Sequence, residues 1–153
     1  MMIILEKLRE GGLLISKIKQ ISGRIFDRKL KDYDINDLNG AQGRIIFSLW
    51  QNDNIPISEL ARQTALGKTT LTSMLDRLEQ SGYIVRNADE KDKRSVLVSL
   101  TVKSKSLEGR YEDVSKEMTS LFYEGLSEQQ IDEFENLLKH ILSNLVMYEE
   151  EHK

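Results

Sequence analysis

The chain has 153 residues, of which 39% are hydrophobic and 31% charged, with no cysteine and a formal net charge of −3. That length suits about one domain, and the hydrophobic share is too high for a disordered chain. The lack of cysteine excludes disulfides, zinc fingers, iron–sulfur sites and thiol chemistry. No stretch of the sequence approaches 18 apolar residues, and the apolar start Met1–Leu5 is too short for a signal peptide, so a cytoplasmic protein is expected.

The N-terminal region has the apolar periodicity of a helix. Leu14, Ile18, Ile21 and Ile25 recur at helical spacing after a predicted break at Gly11-Gly12. The opposite face is rich in Lys and Arg, which suits either a solvated surface or attraction to phosphate.

Two shorter helices are predicted next. Asn39 and Gln42 have the spacing of a capping box at the start of the first, whose apolar face includes Trp50, interpreted as a core residue. Ser58 is the predicted N-cap of the second, after an extended segment over residues 55–57 that contains the single proline.

A fourth helix and a β-hairpin complete this region. A tight turn at residues 65–67 leads to a helix over residues 68–80, with Gly82 as its left-handed terminator. Residues 83–86 and 95–100 then alternate as two strands around a polar loop. Helix, tight turn, helix and hairpin together predict a winged helix-turn-helix. The fourth helix buries a leucine stripe: Leu71, Leu75 and Leu78.

The remainder is predicted to be helical. Apolar residues repeat at helical spacing over residues 107–121, and Ser127 with Gln130 forms a second capping box. The last helix carries an a/d-type seam that either pairs with a second copy or is buried within one domain. The seam consists of Ile131, Phe134, Leu138, Ile141, Leu145 and Tyr148.

The fourth helix carries the candidate DNA-reading residues. In a helix-turn-helix the second helix enters the major groove, where short hydroxyl side chains and cations can bind phosphates or base edges. The alternative is a Thr-rich surface without a ligand. The candidates outside the leucine stripe are Lys68, Thr69, Thr70, Thr72, Ser73 and Arg77.

The hairpin loop supplies a second candidate contact, formed by Asp92, Lys93 and Arg94. Arg94 can reach a narrow minor groove, where negative potential favours arginine. Asp92 is unsuited to face phosphate, and we expect it to hold a neighbouring arginine through a charge-assisted hydrogen bond. The alternative is a solvated turn.

The ordered set of these motifs resembles the MarR (multiple antibiotic resistance regulator) family over nearly the whole chain. The Asp-x-Arg wing and the strand end after it are the most specific part. Gly67 and Gly43 depart from the family pattern, which commonly has Ser or Thr at the first position and a bulkier residue at the second. The resemblance is carried by residues 57–61 (ISELA), 67–72 (GKTTLT), 75–84 (LDRLEQSGYI) and 92–101 (DKRSVLVSLT).

The resemblance implies a mainly α fold with a small β-hairpin wing (α+β) in a single domain, 1–153. Residues 39–101 would form the winged helix-turn-helix DNA-binding lobe, and residues 1–31 and 102–153 the dimerisation helices. It further implies a homodimeric transcriptional regulator, with repression as the expected sign, that binds a pseudo-palindromic operator and responds to a small lipophilic or aromatic ligand. No ligand-lining residue is singled out. The implied dimer interface comprises Ile18, Ile21, Ile25, Ile131, Phe134, Leu138, Ile141 and Leu145.

Neither catalysis nor a cofactor is expected. The only histidines, His140 and His152, have no metal-ligand spacing, and no catalytic motif is present in the sequence. The competing hypothesis is a winged-helix protein-interaction module without DNA binding. Residues 102–153 carry 6 basic and 12 acidic side chains, whereas the first 101 residues carry 16 and 13. We therefore expect binding to depend on a few placed cations and non-specific affinity to be low.

Overall fold

Helices dominate residues 8–153, the part of the chain that the computed structural model describes. The predicted segment Met1–Leu5 lies outside the described residues. The described residues fall into two compact units, one extending to Met118 and the other running Thr119–Lys153, so the boundary lies within a helix. The elements in chain order are α1 (Gly11–Asp32), α2 (Gly40–Gln51), β1 (Ile55–Pro56), α3 (Ile57–Thr64), α4 (Lys68–Gln80), β2 (Ile84–Ala88), β3 (Val96–Leu100), α5 (Val102–Phe122) and α6 (Glu128–Glu151).

The predicted hairpin is present and gains a third strand. β2 and β3 pair antiparallel, with Arg86 opposite Val98, and β1 adds to the other edge of β3 in the order β1-β3-β2. The predicted extended segment before the third helix is therefore a short strand, with Ile55 opposite Val98. The predicted mainly α fold with a small β wing is confirmed.

The capping signals in the sequence fix two helix starts as predicted. Asn39 Oδ1 accepts from Gln42 N at 2.8 Å, and Gln42 Oε1 accepts from Asn39 N at 3.2 Å. Ser127 and Gln130 make the same reciprocal pair at the start of α6. Each box satisfies two N–H groups that a helix N-terminus leaves without an intrahelical acceptor.

Two local predictions were wrong. Gly11 and Gly12 are the first two residues of α1 rather than a break that precedes the helix, and the positions of their missing Cβ atoms are open space. Pro56, not Ser58, is the N-cap of α3. Pro56 pairs with Leu97 as the last residue of the strand, and Ile57 is the first residue of α3. The helix therefore begins earlier than an N-cap at Ser58 would allow.

A hydrophobic core fills the first unit. The leucine stripe of α4 is at most 1% exposed, as its spacing predicted. Burying one such side chain contributes about 1.5–3 kcal/mol, so this stripe anchors α4 firmly against the lobe. Trp50 packs against this core as predicted but remains partly exposed. The other fully buried hydrophobic side chains of the described residues are Leu30, Ile35, Ile45, Ile46, Leu49, Leu60, Tyr83, Ile84, Val98 and Val114.

Candidate nucleic-acid interface

The turn between α3 and α4 sets the direction in which α4 leaves the core. Ala65 adopts the left-handed conformation at φ 56°, which ends α3 three residues before α4 begins. The Thr64 hydroxyl donates to the carbonyl of Leu60 at 2.8 Å, and Leu66 packs partly buried against the core. Gly67 is the N-cap of α4. Because glycine has no side chain to accept from the first N–H groups of the helix, that end keeps its donors for an outside acceptor.

The outer face of α4 contains all six residues predicted to read DNA. Each is exposed, since the buried side of the helix is taken by the leucine stripe. The face presents hydroxyl groups and cations together, a combination that can donate to phosphate oxygens and to base acceptors. The six are Lys68, Thr69, Thr70, Thr72, Ser73 and Arg77.

The loop between β2 and β3 is organised by two aspartates. Asp92 Oδ1 accepts from the backbone N–H of Arg94 at 3.1 Å and from its Nε at 3.2 Å. Asp89 Oδ1 accepts from Lys91 N at 2.9 Å, and Asp89 N donates to the Ser95 carbonyl at 3.0 Å. The expected contact between Asp92 and Arg94 is confirmed. The Arg94 side chain is nevertheless 92% exposed, so its guanidinium projects from an ordered loop.

Lys93 lies between the paired residues of this loop and is exposed. The candidate wing therefore offers two cations, of which only Arg94 is held by Asp92 in the described chain.

One polar cluster next to this surface was not predicted from the sequence. Arg86 of β2 reaches across to α4 and binds both Asp76 and Glu79. A signal existed, since Asp76 and Glu79 are spaced to lie on one face of a helix. Their arginine partner could not be identified without knowing how β2 lies against α4.

Helix α5 is bonded to the connector between α1 and α2 and to the turn between α4 and β2. Lys103 Nζ donates to Asp37 Oδ2 at 3.3 Å and to the Ser81 carbonyl at 2.8 Å, and lies 4.3 Å from the Tyr83 ring centroid. The Tyr83 hydroxyl also donates to Asp37. Burial raises the pKa of Asp37, but these hydrogen bonds outweigh it and hold the pKa below its usual value. One cluster of hydrogen bonds and an ion pair therefore joins the connector, the turn between α4 and β2, and α5.

An aromatic cluster surrounds Tyr111 of α5. Its ring centroid lies 5.6 Å from that of Phe26, 6.3 Å from Phe47 and 5.1 Å from Trp50. Burial raises the pKa of Tyr111 to about 12. Within residues 8–153, Nε1 of Trp50 is buried without a hydrogen-bond partner. A buried donor in that state costs free energy unless something pairs with it.

The residues predicted to form a dimer interface lie on two separate elements. On α1, Ile18 and Ile21 are exposed and Ile25 is partly buried. The remaining five lie on α6, where no described residue is buried. Ile131 and Phe134 are partly buried, whereas Leu138, Ile141 and Leu145 are exposed.

Other site chemistries find no support in the part of the chain that the structure describes. It contains no group of three or more His, Asp or Glu side chains placed to hold a metal ion. Nor is any helix there both long enough and apolar enough to cross a bilayer.

A helix, a tight turn, a second helix with an exposed polar face and a short antiparallel wing define a winged helix-turn-helix protein. Comparison with known proteins shows which family of winged helix-turn-helix proteins this chain resembles. The family model described as MarR family matches residues 38–96. The HTH-type transcriptional regulator SarZ from Staphylococcus aureus (strain MRSA252) is 31% identical over 115 residues, which cover 74% of each chain.

Solved structures agree with that match. A MarR transcriptional regulator from Methanosarcina mazei Go1 is 26% identical with a TM-score of 0.77, covering 90% of this chain and 96% of that one. A mutant MarR from E. coli, complexed with operator DNA, is 28% identical with a TM-score of 0.76, covering 86% and 92%. The chain belongs to the MarR family of transcriptional regulators. Its relatives are regulators rather than enzymes, as the sequence indicated.

Proposed function

We propose that this chain is a homodimeric, sequence-specific DNA-binding repressor whose affinity for its operator is lowered by a small aromatic or lipophilic ligand. The observation that best supports DNA binding is that two suitable surfaces occur in the same unit of the chain. The exposed hydroxyl and cationic face of α4 occurs together with an ordered wing from which Arg94 projects. A solved relative of the family is complexed with operator DNA. The cytoplasm is the expected location because that is where such a regulator meets DNA.

Each part of the proposed interface has its own task. α4 enters the major groove, where Thr and Ser donate to base acceptors or phosphates and contact the thymine methyl group. Arg94 enters the neighbouring minor groove, where a narrow groove strengthens the negative potential. Since residues 1–101 carry only a small basic surplus, affinity depends on Lys68, Arg77 and Arg94 rather than on a broad basic field.

Two exposed apolar faces support dimerisation. Ile18 and Ile21 on α1 are 44% and 48% exposed, and Ile141 and Leu145 on α6 are 45% and 63% exposed. Monomeric proteins rarely leave such stripes in water. A two-fold dimer would cover identical faces on both copies. Its two α4 helices would have to lie about 34–36 Å apart to read half-sites that are one turn of B-DNA apart.

The aromatic cluster around Tyr111 supports the proposed ligand response. The buried Nε1 of Trp50 is a donor that a carboxylate or carbonyl oxygen could satisfy, and an aromatic ligand would have to part the packed rings to reach it. If a ligand binds here more tightly to the DNA-free protein than to the DNA-bound protein, it lowers the affinity for the operator by the ratio of those two ligand affinities, because coupling is reciprocal. Operator binding measured with and without benzoate-type acids tests this response.

Selection of bound duplexes from a random pool tests the DNA-binding function. We expect a pseudo-palindromic consensus, bound with a steep dependence on salt because phosphate contacts release counterions. Gel shifts of the selected duplex at two salt concentrations then separate specific from non-specific binding. A pool that yields no consensus, with no retained duplex at low salt, would contradict the function and favour a winged-helix module that binds protein.

A further inference from the structure

Arg86 joins the wing to α4 by four hydrogen bonds. Its Nη2 donates to Asp76 Oδ1 at 2.7 Å and to Glu79 Oε1 at 2.9 Å. Its Nε donates to Glu79 Oε2 at 3.4 Å, and its backbone N–H donates to the same oxygen at 3.2 Å. The Glu79 carboxylate thus receives both the fork and the main chain of one residue. This geometry is directional, unlike that of a lysine ammonium.

The arginine of this cluster is largely withdrawn from water, whereas its two acidic partners are more exposed. The Arg86 side chain is 22% exposed, against 54% for Asp76 and 42% for Glu79. The hydrogen bonds from Arg86 hold the pKa of Glu79 below its usual value, so the carboxylate stays charged. An arginine withdrawn from water with two charged acceptors has a strong preference for one rotamer.

The position of the cluster connects it with the proposed DNA-binding residues. Asp76 follows Ser73 by three residues and Thr72 by four, so it lies on the same side of α4 as these candidates. Arg86 lies on β2, the strand that leads into the loop of Asp92 and Arg94. The cluster therefore bridges the element proposed for the major groove and the element proposed for the minor groove.

We propose that Arg86 is a positioning residue that fixes the wing to α4, so that the wing arginine and the recognition helix engage one duplex together. The two grooves of B-DNA have a fixed separation, and a protein that is already ordered to match it loses less conformational entropy on binding. Asp76 and Glu79 are the anchors on α4. This role rests on the proposed DNA-binding function.

Removing Asp76 and Glu79 tests this role, because the expected change in DNA affinity is opposite in direction to the change that the lost charges alone would cause. The double variant Asp76→Ala/Glu79→Ala deletes two negative charges from the side of α4 that faces the phosphates, so simple electrostatics predicts tighter binding. We expect weaker binding instead, by about tenfold, because the wing loses its tie to the helix. Alanine favours the helix at both positions, and thermal unfolding of the variant checks that the lobe stays folded.

The matched control is Glu90→Ala/Glu108→Ala. Both residues are exposed, neither is bonded to Arg86, and the charge change is the same. The control is expected to bind the selected duplex at least as tightly as the wild type. Equal affinities for the two double variants would overturn the positioning role.

A double-mutant cycle with Arg94→Ala shows whether the cluster acts through the wing. If it does, the Asp76→Ala/Glu79→Ala change lowers the affinity for the selected duplex about tenfold when Arg94 is present. In the Arg94→Ala background the same change lowers it less than about twofold, since coupled residues are non-additive. Equal losses in both backgrounds would overturn the proposal while leaving DNA binding intact. A wild-type protein that retains no duplex would instead refute the proposed function.

Discussion

Tyr111 fills the space beside Gly43 that any larger residue would need. A Cβ on Gly43 would lie 2.6 Å from Cε2 of Tyr111 and 2.8 Å from its hydroxyl oxygen. The ring cannot easily move away, because Phe26 and Trp50 pack edge-on against it. The glycine that departs from the family pattern thus permits close packing of α2 on α5 through a buried aromatic side chain.

Gly43→Ala is expected to destabilise the protein by about 1–3 kcal/mol, the usual cost of overpacking a core. The loss should appear even though alanine favours a helix by about 1 kcal/mol over glycine. Urea denaturation at fixed protein concentration measures it. Gly109→Ala is the control, because its Cβ enters open space on α5 and should be neutral or stabilising. Equal free energies of unfolding for the two variants would show that Tyr111 does not constrain Gly43.

The raised pKa of Tyr111 predicts a loss of stability at alkaline pH. An unfolded tyrosine ionises near pH 10, whereas burial raises the pKa of Tyr111 to about 12 in the folded chain. Its contribution to the free energy of unfolding is therefore complete below pH 10 and is lost as the pH rises to 12. Over that window the loss approaches about 1.4 kcal/mol per pH unit.

The measurement is the difference in free energy of unfolding between wild type and Tyr111→Phe across that window. Phenylalanine keeps the ring but cannot ionise, so the wild type should lose stability relative to the variant as the pH rises. Because every other titrating group is common to both proteins, their contributions cancel. A difference that stays constant from pH 10 to pH 12 would mean that the hydroxyl is not buried in the folded state.

Local signals account for what the sequence could predict. The capping box of Asn39 and Gln42, the leucine stripe of α4 and the pair Asp92 and Arg94 each involve residues at most seven apart, whose geometry follows from a single element or turn. The contact between Gly43 and Tyr111 depends instead on how two distant helices pack. The binding of Arg86 to α4 likewise depends on strand placement, which periodicity does not report.

Arg94→Ala is expected to weaken binding of the selected duplex by about 1–3 kcal/mol, the range for one specific base-level contact. Its side chain is 92% exposed, so the substitution removes little packing and should leave the melting temperature nearly unchanged. Fluorescence anisotropy at matched salt measures the affinity. Lys91→Ala is the control, since it removes a cation from the same loop without disturbing the bond between Asp92 and Arg94. If both variants lost the same affinity, Arg94 would contribute only charge.

Ile141→Asp is expected to dissociate the proposed dimer. Ile141 lies in the middle of the exposed seam of α6, and two-fold symmetry would place the new carboxylate on both faces of one apolar interface. Burying two unpaired like charges costs several kcal/mol, so the variant should be monomeric where the wild type is dimeric. Sedimentation velocity at one shared concentration makes the comparison. Ser143→Asp adds the same charge on the opposite side of the helix and should remain dimeric.

The Ile141→Asp variant should also bind the selected duplex more weakly, because a monomer engages one half-site at a time and loses the gain in affinity from linking two half-sites. A wild-type monomer, or a variant that sediments as a dimer, would contradict the assignment of this seam.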